Sequence, residues 1–279
     1  MKLTALRNNP LFLIISIFLL IAILGKAPIK EYLPYSNSTS DKLETSIISS
    51  LLICVLIFII HKLRIPHSYF RFIERRDYIY YFPTIIYIFL FSNGFSDFSR
   101  MSDSILYCEN IFLYGLETLS RALFEEILFR GIIFGVILSK YYDSKNGVMK
   151  SVIISGLIFG LAHIVNIWTQ PHVSARGTLN QVYAATCLGA MYCAIYLRTR
   201  SIIVLGLLHF ISNFFAGIEE LAGSEIVVES VSRDRTIIEI IASNVLTIVI
   251  FGSSLLIGIY IVKRTEREEV EEFMSQSHS

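Results

Sequence analysis

The sequence has few charged residues and no dominant sign of charge. Only 17% of the 279 residues are charged, whereas a soluble domain carries about 25%. The net charge of +1 gives no indication of nucleic-acid binding, which a strong basic excess would suggest. The four cysteines are scattered without a C-x-x-C pair, which argues against a disulfide framework or a cysteine metal cluster. No internal repeat is visible.

The chain is rich in long apolar runs. Hydrophobic residues make up 54% of it. Runs of roughly 20 apolar residues, enough to cross the hydrocarbon layer of a bilayer, recur along the sequence. We therefore predict an all-α fold, a polytopic membrane helix bundle with about eight transmembrane helices. The predicted spans are 10–27, 44–61, 78–94, 115–139, 150–168, 179–197, 201–218 and 238–262.

Loop charges predict the orientation in the membrane. The first apolar run follows Lys2 and Arg7, but no A-x-A-like cleavage site comes after it. We therefore interpret it as a retained span. Lys and Arg concentrate in alternate loops, and the positive-inside rule then predicts that both termini are cytoplasmic. The polar loop 219–236 is predicted to lie outside, and the charged tail 263–279 to be a frayed, solvated helix.

The fourth span carries five ionisable residues. An ionisable group at membrane depth costs ~2.5–3.5 kcal/mol on insertion scales and marks a functional site by default. Glu117, Arg121 and Glu125 follow at spacings of four, as do Glu126 and Arg130, and such pairs can offset charge. Because acids outnumber guanidiniums, one acid is imperfectly neutralised and is a candidate general base. The alternative is a buried ion-pair network that fixes helix packing.

Two histidines lie in other apolar spans. His163 follows Phe159 by one helical turn, and alone it is more typical of a helix-packing or interfacial residue. His209 and Asn213 share a helix face and could direct two donors into one cavity, as an oxyanion site requires. Their alternative role is hydrogen bonding between membrane helices. Together with the glutamates, these groups could assemble a hydrolytic centre within the membrane.

In this order, the motifs resemble those of a known family. They read E-E-x-x-x-R at 125–130, F-x-x-x-H at 159–163 and H-x-x-x-N at 209–213. They resemble the CPBP (Abi) family of CAAX-processing and bacteriocin-processing intramembrane endopeptidases, which includes the Ras-converting enzyme. Gly131 fits the family's F-R-G, and residues 196–201 resemble its Y-x-R-T-x-S segment.

The resemblance implies a division of the chain into three parts. Residues 115–218 would form the intramembrane protease core. Residues 1–114 would be a variable region of N-terminal transmembrane helices. Residues 219–279 would contain an outer loop, the last transmembrane helix and a cytoplasmic tail.

The same resemblance implies roles for individual residues. Glu125 would be the catalytic carboxylate, and with His163 it would activate water for attack on a peptide carbonyl. His209 and Asn213 would stabilise the oxyanion. Supporting roles, ordering the helix and tuning the site, would fall to Glu126, Arg130 and Phe159.

Whether the enzyme uses a metal depends on which residue would remain as the general base once the metal had taken its ligands. Glu125, His163 and His209 would be an acceptable zinc set. Glu126 would then have to act as the base, although its spacing pairs it with Arg130. No H-E-x-x-H motif occurs. We therefore predict a metal-free, glutamate-type peptidase without a cofactor, with zinc as the alternative.

The expected partners are the lipid bilayer and a membrane-embedded or lipid-anchored protein or peptide substrate. No residue pattern in the chain selects a prenyl group. A catalytically dispensable scaffold, or an immunity or regulatory protein of the same family, is the main alternative function. A transporter is disfavoured, because transporters often show inverted repeats and no repeat is visible in this sequence.

Overall fold

The computed structural model describes residues 9–24, 37–69, 71, 78–91, 108–169, 174–217 and 237–275. Within these ranges the chain is helical and has no β-strand, which confirms the predicted all-α class. The helices are α1 (Pro10–Leu24), α2 (Asn37–Leu63), α3 (Tyr78–Phe91), α4 (Cys108–Glu126), a π-helix (Ile127–Phe134), α5 (Gly135–Tyr141), α6 (Gly147–Ala162), a 3-10 turn (His163–Val165), α7 (Asn166–Thr169), α8 (Ala175–Thr199), α9 (Ile202–Ala216), α10 (Ile237–Lys263) and α11 (Arg267–Ser275).

Each predicted span overlaps a helix. Among the described residues, three helices are long and apolar enough to cross a membrane, namely Thr39–Leu63, Gly147–Trp168 and Asn244–Lys263. The apolar helices Tyr78–Ile88 and Ile202–Ala216 are shorter. These helices identify an integral membrane protein, whereas the count of eight spans stays a prediction. The predicted span ends at 25–27, 92–94 and 218, and the loop 219–236, lie outside the described residues.

Two compact units make up the chain, and the first comprises residues 1–63, 84–128 and 202–231. In it, α4 packs against α2 and α9. A Cβ atom at Gly206 of α9 would lie 2.6 Å from Leu123 Cδ2, so glycine permits the close approach of α4. At the other end of the contact, the Tyr114 hydroxyl donates to the carbonyl oxygens of Asn213 and Phe214, both at 3.3 Å. These contacts bring the end of α4 alongside α9.

The second unit comprises residues 64–83, 129–201 and 232–279. Helix α8 packs against α6 and α10 there. A Cβ atom at Gly156 would lie 2.7 Å from the backbone nitrogen of Ala190, and one at Gly189 would lie 2.8 Å from Phe159 Cδ1. Small residues let membrane helices approach closely. The Phe159 ring is thereby held against α8.

The long helix that begins at Cys108 changes its hydrogen-bond pattern after Glu126. Residues Ile127–Phe134 are π-helical and all buried. In a π-helix the hydrogen bonds close from i to i+5 rather than from i to i+4, and such segments are frequent at functional sites. This segment begins directly after the tandem glutamates and contains Arg130.

The charged tail is docked rather than frayed over α11, which corrects the sequence-based prediction for this part of 263–279. Val270 and Phe273 are one turn apart and buried. The Phe273 ring lies 5.3 Å from the ring of Tyr196 and 6.4 Å from that of Phe134. The prediction weighed the charges of the tail and overlooked its narrow apolar stripe, which is enough to hold a short amphipathic helix.

Residues 196–201 also contact α11 through two arginines. Arg198 forms an ion pair with Glu269 of α11, and Arg200 Nη2 donates to Glu272 Oε2 at 2.8 Å. Both arginine side chains are largely buried. The family-like Y-x-R-T-x-S segment thus binds the C-terminal helix in this chain.

Candidate active site

Helix α4 carries the predicted acids. Arg121 Nη1 lies 3.6 Å from Glu117 Oε1, so the guanidinium that could have served either Glu117 or Glu125 pairs with Glu117. Glu125 keeps 24% of its side chain exposed, whereas the neighbouring Glu126 is fully buried at 0%. The two tandem glutamates therefore have different environments, although their sequence context is nearly the same.

His209 of α9 contacts both of these glutamates. Its Nδ1 atom lies 2.8 Å from Glu126 Oε1, the distance of a charge-assisted hydrogen bond. Its Nε2 atom lies 3.8 Å from Glu125 Oε2, which is too long for a direct hydrogen bond. An oxygen atom placed between these two groups could hydrogen-bond to both. We call Glu125, Glu126 and His209 the acid–imidazole cluster.

The contact with Glu126 determines which nitrogen of His209 carries hydrogen. An ionised carboxylate only accepts hydrogen bonds, so Nδ1 is the donor. In the neutral ring Nε2 is then an acceptor, and it becomes a donor only in the imidazolium form. The oxyanion role predicted for His209 as a neutral donor therefore requires the charged ring instead.

Asn213 lies one turn beyond His209 on α9 and is exposed. Its backbone carbonyl accepts the hydrogen bond from Tyr114 that joins α4 to α9. This hydrogen bond uses no atom of the amide side chain. The helix therefore places the amide and the imidazole of His209 one turn apart, as the spacing predicted.

In the second unit, the F-x-x-x-H motif ends helix α6. His163 lies where the α-helix gives way to the 3-10 turn. Its Nδ1 atom is 2.9 Å from the carbonyl oxygen of Phe159, and the two rings pack edge to face with centroids 4.9 Å apart. Because a carbonyl only accepts, Nδ1 carries the hydrogen and Nε2 of the neutral ring keeps its lone pair. This tautomer suits a proton acceptor or a metal ligand.

Arg130 packs against two aromatic rings of the second unit. Its Cζ atom lies 4.4 Å from the centroid of Phe159 and 5.2 Å from that of Tyr192, within cation–π range. Arg130 is 1% exposed. Tyr192 was not among the predicted site residues, because it belongs to no motif. Its only sequence signal was a phenol within the apolar run 179–197.

Two of the predicted zinc ligands, Glu125 and His209, lie within one unit of the chain. Within the described ranges, no group of three or more His, Cys, Asp or Glu side chains is arranged to hold a metal ion. His209 Nδ1 is engaged by Glu126. The acid–imidazole cluster therefore offers Glu125 Oε2 and His209 Nε2, whereas catalytic zinc usually has three protein ligands.

Comparison with known proteins identifies the family of the central segment. Residues 107–215 match the model of the type II CAAX prenyl endopeptidase Rce1-like family. The matched range contains all three motifs, from Glu125 to Asn213. No curated protein and no solved structure matches the chain. The segment 107–215, which contains the three motifs, is therefore similar to the Rce1-like CAAX endopeptidases, and it lies in a chain with helices apolar enough to span a membrane.

Proposed function

We propose that this protein is an intramembrane endopeptidase in which Glu125 is the general base. The acid–imidazole cluster is the observation that carries the proposal. Glu126 is buried and hydrogen-bonded to His209, so it orients the imidazole. Glu125 is partly exposed and too far from His209 for a direct hydrogen bond. Of the two acids, Glu125 is thus the one whose oxygen is available to water.

The reaction follows from this division of roles. The Glu125 carboxylate accepts a proton from water as the water oxygen bonds to the peptide carbonyl carbon. The same proton then passes to the nitrogen of the leaving amine as the C–N bond breaks. His163 shares the activation of water, as the family resemblance implies, and its Nδ1–H tautomer leaves the Nε2 lone pair for that role.

His209 and Asn213 stabilise the negative oxygen of the tetrahedral intermediate. The charged His209 ring donates from Nε2, and the accessible amide of Asn213 donates from one turn away. Glu126 supports the charged ring through the hydrogen bond at Nδ1. A charged donor is stronger than a neutral one, so this arrangement favours the transition state.

The proposed substrate is a membrane-embedded or lipid-anchored protein, in agreement with an Rce1-like domain. We expect membranes that contain the wild-type protein to show new protein termini that are missing when the protein is absent. Mass spectrometry of terminal peptides measures this difference, and a membrane-associated protein should supply the pair of new ends. Identical sets of termini in both membranes would favour the alternative of a scaffold or an immunity protein without proteolysis.

We further propose that catalysis needs no metal. Purified, active protein is expected to contain far less than one zinc per chain, because the acid–imidazole cluster presents fewer than the usual three protein ligands. Elemental analysis and cleavage assays with a strong chelator test this prediction. Stoichiometric zinc, loss of activity with chelator and recovery with zinc would overturn it, and would make His163 and His209 ligands.

Both termini are proposed to be cytoplasmic. On a background without native cysteines, a cysteine at Ser144 should be protected from an impermeant thiol reagent in intact cells. A cysteine at Ser224, in the loop predicted to lie outside, should be labelled. Labelling in opened vesicles is the control for the reactivity of both positions. Labelling of Ser144→Cys in intact cells would contradict the proposed topology.

A further inference from the structure

The buried guanidinium of Arg130 packs against Phe159, the phenylalanine that also contacts His163. It packs over the Phe159 ring at 4.4 Å and over the Tyr192 ring at 5.2 Å. All three side chains are at least nine-tenths buried. A cation is attracted to an aromatic face, and the attraction is stronger when both groups are desolvated. Arg130, which also packs over the Tyr192 ring, therefore holds the Phe159 ring by attraction as well as by packing.

Phe159 in turn fixes the position of His163. The histidine ring packs edge to face against the phenyl ring at 81°, while its Nδ1 donates to the Phe159 carbonyl at 2.9 Å. The Phe129 ring also packs edge to face against the Phe159 ring, with the ring centroids 4.8 Å apart. Two contacts thus fix the imidazole of His163, one at its ring and one at its Nδ1 atom. Phe159 makes both of them.

From these contacts we infer that Tyr192 is a positioning residue for His163. Tyr192 holds Arg130, which packs over the Phe159 ring. That ring sets the orientation in which His163 Nδ1 reaches the Phe159 carbonyl, and this hydrogen bond fixes the Nδ1–H tautomer. The inference rests on the proposed function in one respect, namely that His163 acts in the cleavage step. It gives a role to the phenylalanine of the F-x-x-x-H motif and to a tyrosine that lies outside every motif.

Variants at Tyr192 test the inference in the full-length protein. Tyr192→Leu keeps apolar volume and removes the aromatic face, so kcat should fall about 10- to 100-fold with little change in KM, as for a slightly misplaced catalytic group. Tyr192→Phe keeps the face and should restore most of the rate. Tyr183→Leu is the matched control. Tyr183 lies on the same helix and its hydroxyl donates to the Ile248 carbonyl, so kcat should stay near the wild-type value.

Nitrogen NMR of histidine-labelled protein separates this inference from the proposed function. The His163 signal is assigned by its loss in His163→Gln. It should report the Nδ1–H tautomer in the wild type and in Tyr192→Phe, and a mixture of tautomers in Tyr192→Leu. An unchanged His163 signal in Tyr192→Leu would overturn the inference, whatever the rate. A changed signal in a protein that cleaves nothing would uphold the positioning role and reject the proposed function.

Discussion

Glu125→Gln is expected to abolish proteolysis while leaving the amount of protein in the membrane near the wild-type level. Glutamine keeps the shape of the side chain and cannot take a proton from water. Removal of a general base costs about 10²–10⁴ in rate. Because Glu125 is 24% exposed and forms no direct hydrogen bond with His209, the substitution should not disturb the contact between α4 and α9. Single-turnover cleavage by purified protein measures the loss.

Glu117→Gln is the matched control for this prediction. Glu117 lies on the same face of α4 and pairs with Arg121 at 3.6 Å, two turns before Glu125. Arg121 is 55% exposed, and an ion pair with an exposed partner contributes little to stability, so its loss should leave cleavage near the wild-type rate. If Glu125→Gln keeps more than about a tenth of the activity, well above what loss of a general base leaves, the assignment of Glu125 is wrong.

The second large effect is expected for Glu126→Gln. The substitution removes the negative charge that supports the imidazolium form of His209 and allows an amide hydrogen to face Nδ1. Loss of an orienting carboxylate beside a catalytic histidine lowers kcat by up to about 10⁴, as the serine protease triad illustrates. The change should appear mainly in kcat, because Glu126 is fully buried and should therefore not touch substrate.

Two further variants show whether Glu126 acts through His209. Glu126→Asp keeps the charge and should retain more activity than Glu126→Gln. Asn213→Ala removes a donor without changing the histidine, and should lower turnover by about 10²–10³ with a smaller effect on KM. If Glu126→Gln abolishes cleavage and Glu125→Gln does not, the roles of the two acids are exchanged. Thermal unfolding in detergent checks that each variant is folded.

The order of motifs along the chain was sufficient to identify the family. The fold class was also predictable, because apolar runs of membrane-spanning length leave the helix as the main way to satisfy the backbone. The match over residues 107–215 agrees with the family resemblance, and the helices of the described residues agree with the fold class. The tail was predicted less well, since Val270 and Phe273 are only two apolar residues among many charges. The burial of Phe273 against Tyr196 depends on a partner far away in sequence.

The site itself was predicted as a set of residues but not as a set of contacts. Periodicity placed Glu117, Arg121 and Glu125 on one face, and left open which acid the guanidinium would serve. Nothing in the tandem sequence distinguishes Glu125 from Glu126. The distinction comes from α9, which brings His209 to 2.8 Å from one acid and 3.8 Å from the other.

The sequence by itself determined the helical class, the membrane location and the candidate residues for the chemistry. These follow from hydropathy and from spacing along single helices, which are local properties. Only the tertiary structure decided that Glu126 is buried against His209, that Glu125 stays accessible, and that Tyr192 packs over Arg130. Burial, tautomer and cation–π contact each depend on which side chain of a second helix fills the space, and helical periodicity carries no information about that partner.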